Sequence, residues 1–447
     1  LLRPCRARST VFDLLFEVFM RSNVWSRAVA GLAIACTCSG GASRAAGSGA
    51  RTDLRVPGRS NATPSIAAED DFVAVAWGAS EASGGTDVFA ATSRDGGRTF
   101  MSPVRVNDVD GDARVNGEQP PRVSVAGHTI TVVWTAKGDR VTKLLQAQSA
   151  DSGRTWTKSA LVPGGDAAGN RGWENVAALR AASTAAARTF AVWLDHRELA
   201  QQDGEVAASH HDHAAMSAGK PDGVAMAQKS KLYVAALDGA SPPVAVTGGV
   251  CYCCKTTIAA ASDGSMYVAW RHVFPGNIRD IAFTSSRDGG RTFAPPVRVS
   301  EDKWVLEGCP DDGPAMALDG AGRVHIVWPT LVTSAGTQTT ALFYATSIDA
   351  KHFSPRQPIP TEGMPHHPQI AIGPDGTPLV AWDEAADGGR RAVMSRVSGD
   401  AGGPPRFARE VLDDTAIYPV VASSRSGGVI AWTSGKSPDS VIRVARH

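Results

Sequence analysis

Short apolar runs alternate with turn residues along most of the chain, and residues 249–298 show the unit clearly. Runs at 257–261, 266–270, 280–284 and 296–299 each have the length of one strand. Between them, Ser262-Asp263-Gly264 and Asp288-Gly289-Gly290 supply the small and αL-tolerant residues of tight hairpins. The pattern predicts a four-stranded antiparallel meander. Its second run ends in tryptophan, and this marker recurs at Trp77, Trp134, Trp193, Trp270, Trp328, Trp382 and Trp432. Successive markers lie 57, 59, 77, 58, 54 and 50 residues apart, near the period of a four-stranded propeller blade. An all-β propeller of seven four-stranded antiparallel blades is therefore expected.

The last unit has only three runs, at 418–423, 429–433 and 441–445. Near the other end, Asp53-Leu54-Arg55-Val56-Pro57 resembles the fourth runs Pro103-Val104-Arg105-Val106-Asn107 and Pro296-Val297-Arg298-Val299-Ser300. The N-terminal segment, with 54–56 as the outermost strand, is expected to complete blade seven and cover its edge. Six blades with this segment as an appendage is the alternative.

Residues 1–50 read as leader, signal peptide and flexible linker, and 51–447 as a single propeller domain. The chain opens on Leu1, and Met20 with the basic 21–27 and apolar 28–35 marks the expected translation start. Ala33-Ile34-Ala35-Cys36 is similar to a bacterial lipoprotein box, which makes Cys36 a lipidation candidate; cleavage within 39–50 is the alternative. Export to the periplasm, the cell surface or the medium is expected, with a membrane reached only through that anchor. Lys and Arg number 45 against 44 Asp and Glu, a balance that offers nothing to nucleic acid. A monomer is expected.

Three octapeptides follow one formula: Ser93-Arg94-Asp95-Gly96-Gly97-Arg98-Thr99-Phe100, Ser149-Ala150-Asp151-Ser152-Gly153-Arg154-Thr155-Trp156 and Ser286-Arg287-Asp288-Gly289-Gly290-Arg291-Thr292-Phe293. Ser347-Ile348-Asp349 with Phe353 is a shortened fourth. The carboxylates of Asp95, Asp151 and Asp288 are expected to accept N–H bonds within their own turns, while the glycine takes a backbone angle closed to other residues. On these octapeptides the chain resembles the Asp-box (BNR-repeat) proteins of the sialidase superfamily. For an enzyme, the resemblance implies an exo-alpha-sialidase type of glycoside hydrolase. Three arginines would then hold the substrate carboxylate, a glutamate would activate a tyrosine nucleophile, and an aspartate would serve as acid/base. The family's early Arg-Ile-Pro motif is replaced here by Thr63-Pro64-Ser65-Ile66, so any such active site is atypical. Tyr418 is the tyrosine placed late enough to be the nucleophile; a strand-start aromatic packing between blades is its structural alternative.

Propeller topology gathers the loops before the first strand and after the second at one mouth of the channel. In blades three to six these loops carry Arg271, Arg279, Asp311 and Asp312, which would suit an anionic or glycan ligand with an aspartate as general acid. Inter-loop salt bridges are the structural alternative for the arginines. Cys251, Cys253, Cys254 and Cys309 leave three readings open: structural disulfides, a thiolate site for copper or zinc, or a redox pair with the C-x-x-C spacing of Cys251 and Cys254. Cys309 is expected within bonding reach of one of the others, and His272 is expected to open onto the same cavity. His210, His211 and His213 form a second metal candidate or a solvated loop. His366 and His367 are weaker, because neighbours on a strand point to opposite faces. Two functions remain open: a glycan-directed sialidase-like protein, or a non-enzymatic protein that binds copper or zinc or does redox chemistry.

Overall fold

The computed structural model describes residues 51–138, 141–166, 171–179, 187–200, 223–306, 312–334, 336–399 and 403–447. They form seven four-stranded antiparallel sheets, each a meander in chain order except the last. The innermost strands are Ser60–Glu69, Arg122–Ala126, Arg171–Leu179, Thr257–Ala260, Ala315–Leu318, Pro365–Ile372 and Ala416–Ser424. In blade seven the outer place is taken by Thr52–Leu54, paired with Ile442–Val444 of the last strand in the register Leu54↔Ile442 to Thr52↔Val444. The ring thus closes through its N-terminal segment, with the closing strand two residues earlier than the 54–56 expected from sequence. Val56 ends outside the ladder because its N–H donates to the Asn61 side chain at 2.9 Å.

The apolar core is seven layers, one between each pair of neighbouring blades. Each layer holds one marker tryptophan, and all seven indoles are completely buried. A second strand is covered on both faces by flanking blades, so it reads as a continuous apolar run rather than an alternation. Met266–Arg271, for example, is buried at every position. A buried indole N–H needs an acceptor, and six of the seven donate to a nearby side chain. Trp77 uses Asn61, Trp193 Asp195, Trp270 His272, Trp328 Asp302, Trp382 Glu384 and Trp432 Asp413, at 2.7 to 3.3 Å.

The octapeptides make the turns between third and fourth strands. In the first, Arg98 N–H and Thr99 N–H both donate to Asp95 Oδ1 at 2.9 Å, and Gly97 N–H donates to Ser93 Oγ. Asp151 and Asp288 repeat these bonds. Slight burial opposes ionisation of Asp95, and the Thr99, Ser93 and Arg98 donors outweigh it, bringing its pKa to about 2. Gly97 sits at φ +83°, and a Cβ there would meet Val429 at 2.9 Å. Gly97→Ala should therefore lower stability by roughly 1–3 kcal/mol, read as a shifted urea midpoint. An unchanged midpoint would show that the turn relaxes freely.

Candidate active site at the channel mouth

Sheet register identifies equivalent positions in all seven blades. The residue before each marker tryptophan pairs with Ser65, Arg122, Asn175, Thr257, Ala315, Gln369 and Val420 on the inner strands. Two residues upstream of these stand Thr63, Pro120, Trp173, Lys255, Gly313, His367 and Tyr418. In blades one, three, six and seven this place is a bulge. Register shifts fall between Ala62 and Ser65, Gly172 and Asn175, His366 and Gln369, and Ile417 and Val420. The residues at their centres have left-handed backbones: Thr63 φ 56°, Trp173 φ 55°, His367 φ 54° and Tyr418 φ 56°. Pro64, Pro368 and Pro419 follow three of them and withhold an N–H from the ladder. A bulge re-aims the side chain of its strand, and a strained angle repeated in four blades is a common mark of a functional rim.

The bulge overturns the alternation expected for His366 and His367. Their rings lie 5.6 Å apart and tilted by 38°, and both face the same acidic cluster. His367 Nδ1 is 2.7 Å from Asp383 Oδ2, and its Nε2 is 2.9 Å from Glu118 Oε1. His366 Nδ1 is 2.6 Å from Asp312 Oδ2, while the His367 N–H donates to Asp312 Oδ1 at 3.0 Å. Lys255 Nζ stands 3.4 Å from Glu118 Oε2 and 3.8 Å from Asp312 Oδ1. Asp383 also takes the Tyr418 N–H at 2.9 Å and a bond from Arg390.

These contacts settle the charge states. Burial and Lys255 press the His367 pKa down, but Asp312 and Asp383 outweigh them and lift it to about 9. His367 is an imidazolium at neutral pH, with both nitrogens donating. Burial pushes the Asp312 carboxyl up, and the His367 charge, the His366 hydrogen bond and the Lys255 charge overcome it, holding the group well below the usual carboxylate range. Burial above all, with the Glu118 and Asp383 charges added, pushes Tyr418 up to about 12, so its hydroxyl keeps its proton. The Tyr418 ring meets His367 edge-on with centroids 4.6 Å apart. Its hydroxyl lies over Gly117: a Cβ at that glycine would stand 2.3 Å from the Tyr418 oxygen. Tyr418 and Gly117 are therefore in contact. Thr63, Pro64, Pro120, Arg122 and Gln369 complete the lining beside them, above a central channel of about 280 Å³ bounded by all seven inner strands.

Below the rim, Glu174 is fully buried. Its Oε2 accepts from Thr135 at 3.1 Å and its carbonyl from Arg122 Nε at 2.8 Å, while its Oε1 has no hydrogen-bond partner. Burial raises its pKa to about 7.

Of the residues expected from sequence, Tyr418 and Asp312 fall in this cluster. Arg271 does not face the opening. It is buried, and donates from Nε to the Asp312 carbonyl, from Nη1 to the Arg279 carbonyl and from Nη2 to the Pro329 carbonyl, at 2.7 to 3.1 Å. It ties blades four and five together through backbone rather than through salt bridges. Arg279 is equally buried, with Nη1 3.2 Å from the Cys251 sulfur. Cys251 and Cys254 are thiols 3.5 Å apart, and Cys253, 4.0 Å from Cys251, is disulfide-bonded. The three are packed under Ala227, Val273 and Trp173. His272 lies against Gly249 and Phe274 and takes the Trp270 indole N–H, and burial followed by the Arg298 charge lowers its pKa to about 4. Cys36, His210, His211, His213, Cys309 and Asp311 lie outside the described residues. Glu118, Lys255, Asp383 and Arg390 were not singled out by sequence reasoning, and His367 was set below the other metal candidates; the recurring X-Pro step before the inner strands was the available signal for its place at the rim.

No family model matches the chain, and no curated protein does. Among solved structures, it is similar to an ulvan lyase that represents a new family of polysaccharide lyase, with a TM-score of 0.50 at 11% identity over 88% of this chain and 95% of that one. It is also similar to a protein of unknown function from Dyadobacter fermentans (TM-score 0.47, 12% identity, 89% and 98% covered). A leech intramolecular trans-sialidase follows at TM-score 0.44 and 12% identity, with 84% and 83% covered. The chain shares its fold with the ulvan lyase, at an identity too low to carry that activity across.

Proposed function

We propose that the channel mouth is a carbohydrate site for an acidic sugar, and that Tyr418 with Glu118 carries chemistry on a glycosidic bond there. The observation behind this reading is the contact of the Tyr418 hydroxyl with Gly117, which brings the phenol within the field of the neighbouring Glu118 charge, a tyrosine beside a glutamate as the sialidase resemblance implies. A phenol raised to about 12 is a poor nucleophile until a base takes its proton. Glu118 is that base: its Oε2 accepts no hydrogen bond and has Lys255 Nζ at 3.4 Å beside it. As the Tyr418 oxygen bonds to the anomeric carbon, its proton passes to Glu118 and the glycosidic C–O bond breaks. Asp312 is held ionised and cannot supply the leaving group's proton, whereas His366, bonded to Asp312 through Nδ1 and about a third exposed, is placed to do so. Lys255, whose carboxylate neighbours stand no nearer than 3.4 Å, answers the sugar's carboxylate, while the His367 imidazolium spends both nitrogens on Asp383 and Glu118 and holds the cluster in place. Lys255 replaces the arginines of the family, since Arg271 and Arg279 are consumed inside the protein.

A divalent metal among Glu118, Asp312 and His367, whose ligand atoms lie within 4.8 Å of one another, is the weaker reading, because Lys255 already supplies positive charge there. The test is sugar release from a panel of sialosides and uronides, together with binding of the same glycans. Tyr418→Phe and Glu118→Gln should each cut release by at least about a hundredfold with binding retained. Release that survives Tyr418→Phe defeats the tyrosine chemistry. Binding without release by the unaltered chain supports a glycan-binding protein, and failure to bind any acidic glycan removes the carbohydrate reading.

A further inference from the structure

A second chemistry sits beneath the rim, on a different set of residues. Arg279 and Arg271 are each about 1% exposed, and among the described residues neither pairs with a carboxylate. Arg271 spends its donors on three carbonyls and stacks on Trp304 at 4.6 Å. Arg279 has the Asn277 side-chain oxygen at 3.3 Å and the Cys251 sulfur at 3.2 Å. A buried guanidinium without a counter-charge is costly. Among the described residues, the group placed to supply that charge is Cys251, 3.2 Å from Arg279 Nη1, which must lose its proton to do so. Cys254 Sγ, 3.5 Å away, points its thiol at the same sulfur and favours the thiolate in the same sense. A hydrogen bond from Cys254 and the charges of Arg279 and Arg271 bring the Cys251 pKa to about 7 against the opposing effect of burial.

Position then selects the co-reactant. Two guanidiniums beside the sulfur repel a metal cation, which disfavours copper or zinc on these thiolates. Cys251 and Cys254 are each about 1% exposed beneath Trp173, Ala227 and Val273, so a bulky disulfide cannot reach them. A neutral oxidant close to water in size can.

We propose that Cys251 and Cys254 form a peroxide-reactive dithiol in which Cys251 is the nucleophile and Cys254 the resolving thiol. The Cys251 sulfur attacks one oxygen of hydrogen peroxide. An S–O bond forms, the O–O bond breaks, and the departing hydroxide takes a proton from solvent to leave as water. Cys254 Sγ then attacks Cys251 Sγ; an S–S bond forms, the S–O bond breaks, and the second hydroxide leaves as water with the Cys254 proton. Two thiols lose two electrons, and one peroxide becomes two waters. The sulfurs must close from 3.5 Å to about 2 Å, a movement within reach of side-chain rotation. Neither thiol is among the residues that carry the carbohydrate chemistry, so the dithiol stands or falls independently of that reading.

The experiment treats the full chain with hydrogen peroxide or, separately, oxidised glutathione, then maps disulfides and remaining thiols by differential alkylation and peptide mass spectrometry. Peroxide should produce a Cys251–Cys254 bond, and oxidised glutathione should do so at least about tenfold more slowly. In Cys254→Ser, peroxide should leave a sulfenic acid on Cys251, trapped by dimedone when the chain is unfolded in its presence. Arg279→Met should slow oxidation about tenfold, and Arg279→Lys, which keeps the charge, should recover most of the rate. If the Met variant fails to fold, the Cys254→Ser labelling alone decides. Two intact thiols after peroxide in the folded chain overturn the proposal. So does an equal rate with oxidised glutathione, or one equivalent of Cu(I) or Zn(II) bound with both thiols protected.

Discussion

Asp383→Asn should destabilise the protein by roughly 3–5 kcal/mol and empty the channel mouth of its order. Asp383 is fully buried and accepts from His367 Nδ1, the Tyr418 N–H and Arg390. Its charge is one of the two that keep His367 protonated. An amide of the same shape must turn its own N–H groups toward one of these donors, and a buried imidazolium and a guanidinium lose their counter-charge together. Two bulges, those of His367 and Tyr418, would lose the acceptor that holds them. The measurement is the urea midpoint at unchanged slope; a loss below about 1 kcal/mol would show that Asp383 is dispensable.

The same cluster predicts a pH dependence. His367 has a folded pKa of about 9 against an unfolded value of about 6.5. Its contribution is therefore fully present below about pH 6.5 and is lost as pH rises through about 9. Asp312 and Asp383 are both depressed; theirs is present above about pH 4 and lost as pH falls. The cluster should stabilise most between about pH 4 and 6.5, with a decline toward pH 9 that flattens in Asp383→Asn. A flat profile in the unaltered chain would contradict the imidazolium.

Removing residues 52–57 should cost at least about 4 kcal/mol and make the protein prone to associate. Leu54 is buried in the layer that joins blades seven and one, beside Val73, Val75 and Trp77. Asp53 holds Arg443 with two bonds of 2.8 and 2.9 Å. Without these residues the last strand, Val441–Arg446, becomes an open edge that can pair with another chain. Thermal unfolding and light scattering would read both effects. A monomer of unchanged melting temperature would mean that the closing strand contributes little.

The sequence by itself determined the blades, because their signals are local. A strand covered on both faces must be apolar throughout, so each second strand announces itself and ends in its tryptophan. The octapeptides announce turns because Asp95, Asp151 and Asp288 bond only to their own neighbours. Even the closing strand was legible as a fourth run displaced to the wrong end of the chain, although its bounds came out two residues away. Tertiary structure alone decided the site. Glu118 meets His367 across 249 positions, and Lys255, Asp312, Asp383 and Tyr418 arrive from four blades. No local pattern encodes which first strands become neighbours once the ring closes. Arg271 shows the converse: its loop position suggested a ligand, but close packing of blades four and five spends its donors on carbonyls. His366 and His367 turned on a single left-handed residue, since one bulge reverses the strand alternation from which their faces were read.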